Sequence, residues 1–184
     1  AVQKKIHDIG AFIDTLFPRF QNGGRLFYVG SGTSGRLEIL DAAECPPTYR
    51  TDPEMVQGII AGGYEALVRS IEGAEDIPDD GAQAILEYGV TEKDVVLGIS
   101  ASSSTPFVLG ALEKAKQVNV LTGLLICNES PDLPFVDHIL SIIVGPEVIT
   151  GSTRMKAGTA TKMVLNMITT TSMIKLNKTY GNLM

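Results

Sequence analysis

Three segments of this chain gather hydroxyls, glycines and charges more densely than a folded core requires. The first is Gly30-Ser31-Gly32-Thr33-Ser34-Gly35. Glycines let a backbone turn tightly and approach a ligand, and the N–H groups opening the next helix attract anions. The spacing also satisfies G-x-G-x-x-G, so a dinucleotide site has to be weighed. Such a site needs an acid at the end of the second strand to hold a ribose. Here the second apolar run passes through Val56-Gln57-Gly58-Ile59-Ile60 into Ala61-Gly62-Gly63 without one. Pro46-Pro47 is moreover expected to stop the first crossover helix early. The hydroxyls of Ser31, Thr33 and Ser34 suit a phosphate or a sugar better. A purely structural turn accounts for the glycines but leaves the hydroxyls unexplained.

The second segment is Ser100-Ala101-Ser102-Ser103-Ser104-Thr105-Pro106. An ordinary helix cap needs one hydroxyl. Ser100, Ser102, Ser103, Ser104 and Thr105 together read as an anion site at the end of a buried strand, where backbone amides and a helix dipole replace lysine. The third runs from Gly145 to Lys162 and carries Glu147, Ser152, Arg154 and Lys156. Two readings of it stand equally on spacing: charges solvated at the start of a helix, or a ligand-binding approach to that helix. Two carboxylates complete the set. Glu44 lies in Asp41-Ala42-Ala43-Glu44-Cys45-Pro46-Pro47, among apolar and stiff residues that could desolvate it and disfavour its charged form. Glu75 lies in Ile71-Glu72-Gly73-Ala74-Glu75-Asp76. Two carboxyl groups in unlike environments can divide acid and base roles, but spacing does not establish that these two meet.

These residues need elements to hold them. Val2 to Phe20 places Ile6, Ile9, Phe12, Ile13, Leu16 and Phe17 at three- and four-residue steps, the period of an amphipathic helix, and Pro18 followed by Asn22-Gly23-Gly24 is expected to end it. Short apolar runs bounded by turn residues read as strands at Arg25–Val29, Met55–Ala61, Asp94–Ser100, Leu121–Cys127 and His138–Val144. Helical stretches lie between them at Ser34–Ala42, Tyr64–Ser70, Asp79–Tyr88 and Thr105–Gln117. A long helix, Ser152–Lys178, follows with Met163, Val164, Met167, Ile168, Thr171 and Ile174 along one side. Strands alternating with helices predict an α/β fold, a five-stranded parallel sheet covered on both faces, in one domain over 1–184.

Composition bounds the function. At 184 residues, 44% hydrophobic and 20% charged, the chain is globular and can bury roughly two-thirds of its unfolded surface without staples. A net charge of −6 and a pI near 4.9 argue against nucleic acid or an anionic membrane as partner. Cys45 and Cys127 are too few for a disulfide scaffold, and with His7 and His138 they match no zinc spacing. No apolar run reaches spanning length and no signal pattern opens the chain, so a cytoplasmic protein is expected.

In chain order, Gly30 to Leu37, Glu44-Cys45-Pro46-Pro47-Thr48, Ile60 to Gly63, Glu72 to Asp76, and Gly145 to Gly158 with its Gly151-Ser152-Thr153-Arg154-Met155-Lys156-Ala157-Gly158 core resemble the N-acetylmuramic acid 6-phosphate etherases. These belong with the glucokinase regulatory proteins among sugar isomerase (SIS) domains. The resemblance covers nearly the whole chain. It implies a three-layer αβα SIS fold that binds a phosphorylated amino sugar at the strand ends, commonly as a homodimer, in cell-wall recycling. It further implies a carbon–oxygen lyase that needs no metal or organic cofactor, with Glu44 matching the family's proton donor and Glu75 its other catalytic residue. The resembled proteins run further at both ends. They commonly carry glycine where Glu38 stands and serine where Ala43 stands. Their second loop reads Ala-Ala-Ser-Gly-Arg-Thr-Pro, so this chain has lost an arginine and a glycine there. A non-catalytic sugar-phosphate sensor and a phosphosugar isomerase are the competing expectations; a retained Glu44 favours the lyase.

Overall fold

The computed structural model describes residues 1–129 and 132–184. After a 3-10 turn at Val2–Lys5, α1 spans Ile6–Gln21 and buries Ile9, Phe12, Ile13, Leu16 and Phe20, while Ile6 is left 48% exposed. The strands are β1 (Leu26–Gly30), β2 (Val56–Ile60), β3 (Val95–Ile99), β4 (Leu121–Ile126) and β5 (His138–Ser141). They form one all-parallel sheet in the order β2-β1-β3-β4-β5, with Leu26 opposite both Val56 and Val95. The helices are α2 (Gly32–Tyr49), α3 (Glu65–Val68), α4 (Pro78–Glu87), α5 (Pro106–Gln117) and α6 (Lys156–Lys175).

Strand side chains alternate between faces, and the core divides accordingly. Leu26, Tyr28, Leu97 and Ile99 pack with Phe12 and Leu16 of α1 and with Val164, Leu165 and Ile168 of α6. Phe27, Val29, Val96 and Leu124 pack with Ile85 of α4 and with Val108 and Leu112 of α5. This is the layered αβα architecture that alternating elements predict. Among the described residues, no helix is long and apolar enough to cross a membrane.

The prolines depart from expectation. Pro18 sits inside α1, which runs on to Gln21, and Pro46-Pro47 sit inside α2, which runs on to Tyr49 and ends at Arg50 in the left-handed region (φ 53°). A proline's φ is already helical; its cost is one missing N–H and a ring crowding the preceding turn. Pro18 leaves the carbonyl of exposed Asp14 unbonded, where water can satisfy it, and Pro46-Pro47 fall in the last turn of α2. The Arg50 amide then closes on the Pro46 carbonyl at 2.9 Å. The helix expected at Tyr64–Ser70 shrinks to one turn, since Tyr64 and Val68 find no core and stay 83% and 74% exposed. The last helix begins only at Lys156, because the approach from Gly145 is an irregular loop.

Candidate active site

All three polar segments converge on the carboxyl-terminal edge of the sheet. β1 delivers Ser31 in extended conformation, and α2 opens directly at Gly32. Close packing requires a glycine at 35: a Cβ there would lie 2.4 Å from Ile60 of β2. The chain after β2 folds back over this turn. Ser31 Oγ donates a hydrogen bond to Glu75, and both line a cavity of about 250 Å³ with Arg36 and Glu72. Arg36 is engaged in pinning that segment, donating to the Leu67 carbonyl at 3.0 Å and the Arg69 carbonyl at 3.3 Å. Thr33 and Ser34 are half-buried in the first turn of α2.

The second loop is tied together by its own hydroxyls. Ser100, 2% exposed, lies 2.8 Å from Thr105 Oγ1 and 3.4 Å from Ser102 Oγ, and Ser104 Oγ donates to Ser102 at 3.1 Å. The loop ends at the first turn of α5, where Pro106 offers no N–H and the opening amides have no partner within the helix. Ser103 takes φ +67°, a left-handed conformation that costs a side-chain-bearing residue about 1 kcal/mol. Sequence reasoning missed Asn128. Its Nδ2 donates to the Ser102 carbonyl at 2.7 Å, and its own carbonyl accepts from Ser141 Oγ at 2.5 Å, fixing the loop to the ends of β4 and β5. Its place just past β4, at the edge where ligands bind in parallel sheets, was the available signal.

The third segment wraps the start of α6 beside the first. A Cβ on Gly158 would lie 3.6 Å from Thr33 Cγ2. Glu147 caps α6, its two oxygens accepting from the amides of Lys156 (3.1 Å) and Ala157 (2.9 Å). The Ala157 amide leads the effects that hold this carboxyl below its ordinary range. Glu147 thus occupies the helix N-terminus that an anion would otherwise use. Lys156 Nζ donates to the Pro146 carbonyl at 2.8 Å, Arg154 is exposed, and Ser152 is half-buried.

Glu44 lies elsewhere. It is exposed, so the desolvation expected from its neighbours is not supplied by this chain: Cys45 turns inward and Glu44 outward on α2. Twelve residues of helix separate it from Gly32, about 18 Å at 1.5 Å per residue. It lines a cleft of about 430 Å³ between α2 and α6, whereas Glu75 lines the cavity at the sheet edge. One chain does not bring the two carboxylates together.

Two further carboxyls lie buried on α2. Asp41 accepts from Tyr28 Oη (2.9 Å), Asn166 Nδ2 (2.6 Å) and Thr169 Oγ1 (3.1 Å); burial raises its pKa, and these donors oppose the rise. Glu38 is fully buried beneath the first loop, and neither of its oxygens has a hydrogen-bond partner. It fits because Gly30 and Gly58 leave room: a Cβ on Gly30 would stand 2.6 Å from Glu38 Oε2. Burial drives its carboxyl well above the ordinary range, opposed by the Gly30 amide facing it. The cysteines are buried thiols, with desolvation pushing Cys45 up to about 12 and Cys127 upward as well, so neither is poised as a nucleophile.

A parallel sheet whose carboxyl edge carries a glycine–hydroxyl turn, a serine-rich helix start and a bonded Ser31–Glu75 pair defines a sugar isomerase-type domain. Two solved structures share the fold: the phosphoheptose isomerase of Francisella tularensis (TM-score 0.68, 15% identity, 91% of this chain and 85% of that one) and that of Neisseria gonorrhoeae (TM-score 0.68, 13% identity, 91% and 87%). Residues 8–116, more than half the chain, match the family described as Glucokinase regulatory protein N-terminal SIS domain, and the chain belongs to that family. It is also similar to proteins named N-acetylmuramic acid 6-phosphate etherase. The one from Clostridium acetobutylicum is 59% identical over 100% of this chain and 61% of its own length. The one from Caldanaerobacter subterraneus is 57% identical over 100% and 60%. The chain therefore spans about three-fifths of the length of these relatives.

Proposed function

We propose that this domain is the catalytic core of a cytoplasmic lyase that cleaves the lactyl ether of N-acetylmuramic acid 6-phosphate, giving N-acetylglucosamine 6-phosphate and D-lactate. The observation that carries the reading is Glu75 held by Ser31 at the sheet edge, beside the hydroxyl-lined start of α5. Similarity above half identity to proteins named for this reaction supports it. Phosphate sits against Ser100, Ser102, Ser103, Ser104 and Thr105, and the sugar lies over Ser31, Thr33 and Ser34. Arg154 and Lys156 approach from the third segment, with Ser152 and Glu147 shaping it.

Ring opening exposes an aldehyde that acidifies the C2 proton. Glu75 removes that proton as base, the C3–oxygen bond breaks, and an acid protonates the departing lactate oxygen. Water then adds at C3 and the proton returns to C2. Glu44 is the acid, and because α2 carries it about 18 Å from the loop, it is supplied by a second copy of the chain. A homodimer with shared sites follows, and closure of that interface supplies the desolvation that one chain lacks.

The test is release of D-lactate from N-acetylmuramic acid 6-phosphate. Glu44→Gln and Glu75→Gln should each lower it by roughly 10²–10⁴-fold, the worth of general acid–base catalysis. Only Glu75→Gln should also suppress exchange of the C2 proton with deuterium. Release at the parental rate by both variants contradicts the assignment. A sugar-phosphate sensor, the second reading, is favoured by the match to a regulatory-protein domain, and it predicts ligand binding without lactate.

A further inference from the structure

The cleft that holds Glu44 contains a cation with no established task. Lys162 of α6 lines it opposite Glu44, is exposed, and makes no ion pair among the described residues. Its ammonium is nonetheless oriented. It donates to Asn166 Oδ1 at 2.6 Å, and the Asn166 amide donates to Asp41 Oδ1 at 2.6 Å. Asp41 lines the same cleft, but its oxygens are taken up by Tyr28, Asn166 and Thr169. One of three ammonium donors is thus spent on Asn166, and the others face a polar cavity large enough for a small organic acid.

The substrate of the reaction proposed above supplies the complement. In a lactyl ether the carboxylate is separated from the ether oxygen by a single carbon, so any acid that reaches this oxygen also meets the carboxylate. A carboxylate drawn out of water into this cleft with no counter-charge would be costly. The cation fixed in the same cleft meets that need, and charge-assisted hydrogen bonds to carboxylates are among the stronger polar contacts. We propose that Lys162 receives the lactyl carboxylate, so that the cleft between α2 and α6 is the leaving-group subsite and Lys162 its specificity determinant. The proposal rests on the etherase reading.

The experiment measures binding, which does not require turnover. In the intact protein carrying Glu44→Gln to suppress cleavage, affinities for N-acetylmuramic acid 6-phosphate and for N-acetylglucosamine 6-phosphate are compared by calorimetry, with and without Lys162→Met. The expected result is a roughly 10- to 100-fold loss for the lactyl sugar alone, the range of a charged hydrogen bond, with Lys162→Arg restoring most of it. Equal loss for both sugars, no loss for either, or no binding of either overturns the proposal. If the discrimination appears but the protein with Glu44 intact releases no D-lactate, the etherase reading fails and the carboxylate subsite stands.

Discussion

At the scale of single residues, Glu38 carries the sharpest consequence. Below an ordinary glutamate value of about 4.3 its carboxyl is neutral in both folded and unfolded chains. Above that value the unfolded chain releases the proton while the folded chain retains it, because burial raises the folded pKa. Stability therefore falls as pH rises, by about 1.4 kcal/mol per unit, until the raised value is passed. Glu38→Gln keeps the shape without the titration, so urea midpoints between pH 5 and 7 should decline less in the variant than in the parent. Parallel curves would show that Glu38 does not hold its proton. Ser103 offers a second case. Glycine tolerates φ +67° without penalty, so Ser103→Gly should raise the melting temperature, by an amount corresponding to about 1 kcal/mol or less. A lowered melting temperature would mean that the Ser103 hydroxyl holds the loop more than its backbone strains it.

At the scale of elements, the sequence is most legible where period and punctuation agree. The five apolar runs became the five strands because each is short, buried and bounded by turn residues, and the hydroxyl-rich segments lie at strand ends because α/β connections leave them there. Prolines misled, since their positions relative to a helix end matter more than their presence; Pro46-Pro47 lie close enough to Arg50 for α2 to survive them. The Ser31–Glu75 contact spans 44 residues and depends on how the Ala61–Asp76 segment folds back, which no local pattern encodes. The opposite edge of the sheet is anchored by Asp94, 1% exposed. It accepts from the Arg25 amide (2.8 Å), Arg25 Nη2 (2.9 Å) and the Thr91 amide (2.8 Å). Burial alone would raise its pKa, but the Arg25 guanidinium and the amides outweigh it and hold the carboxyl below its usual range. Asp94→Ala strands Arg25 and unbinds the turn before β3, and should cost about 3 kcal/mol in chemical denaturation without shifting substrate affinity. A cost under about 1 kcal/mol would mean the pair is not coupled to the fold.

At the scale of the whole molecule, the proposed site needs residues that one chain holds apart. The family resemblance puts Glu44 and Glu75 in one reaction, while the length of α2 carries Glu44 away from the loop that holds Glu75. The apolar side expected on the last helix divides likewise: Val164 and Ile168 are spent on the chain's own core, while Met163 and Ile174 remain 50% and 53% exposed. The partner subunit proposed above would account for both facts. The measurement that tests this most directly mixes Glu44→Gln and Glu75→Gln proteins, each inactive alone, under conditions that exchange subunits. If Glu44 of one copy serves Glu75 of the other, half of the dimers are mixed and each holds one intact site. Lactate release should then return to about a quarter of the parental rate, by general acid–base chemistry acting across the interface. A mixture that stays as inactive as its components would contradict the shared site, and place both carboxylates' work within a single chain.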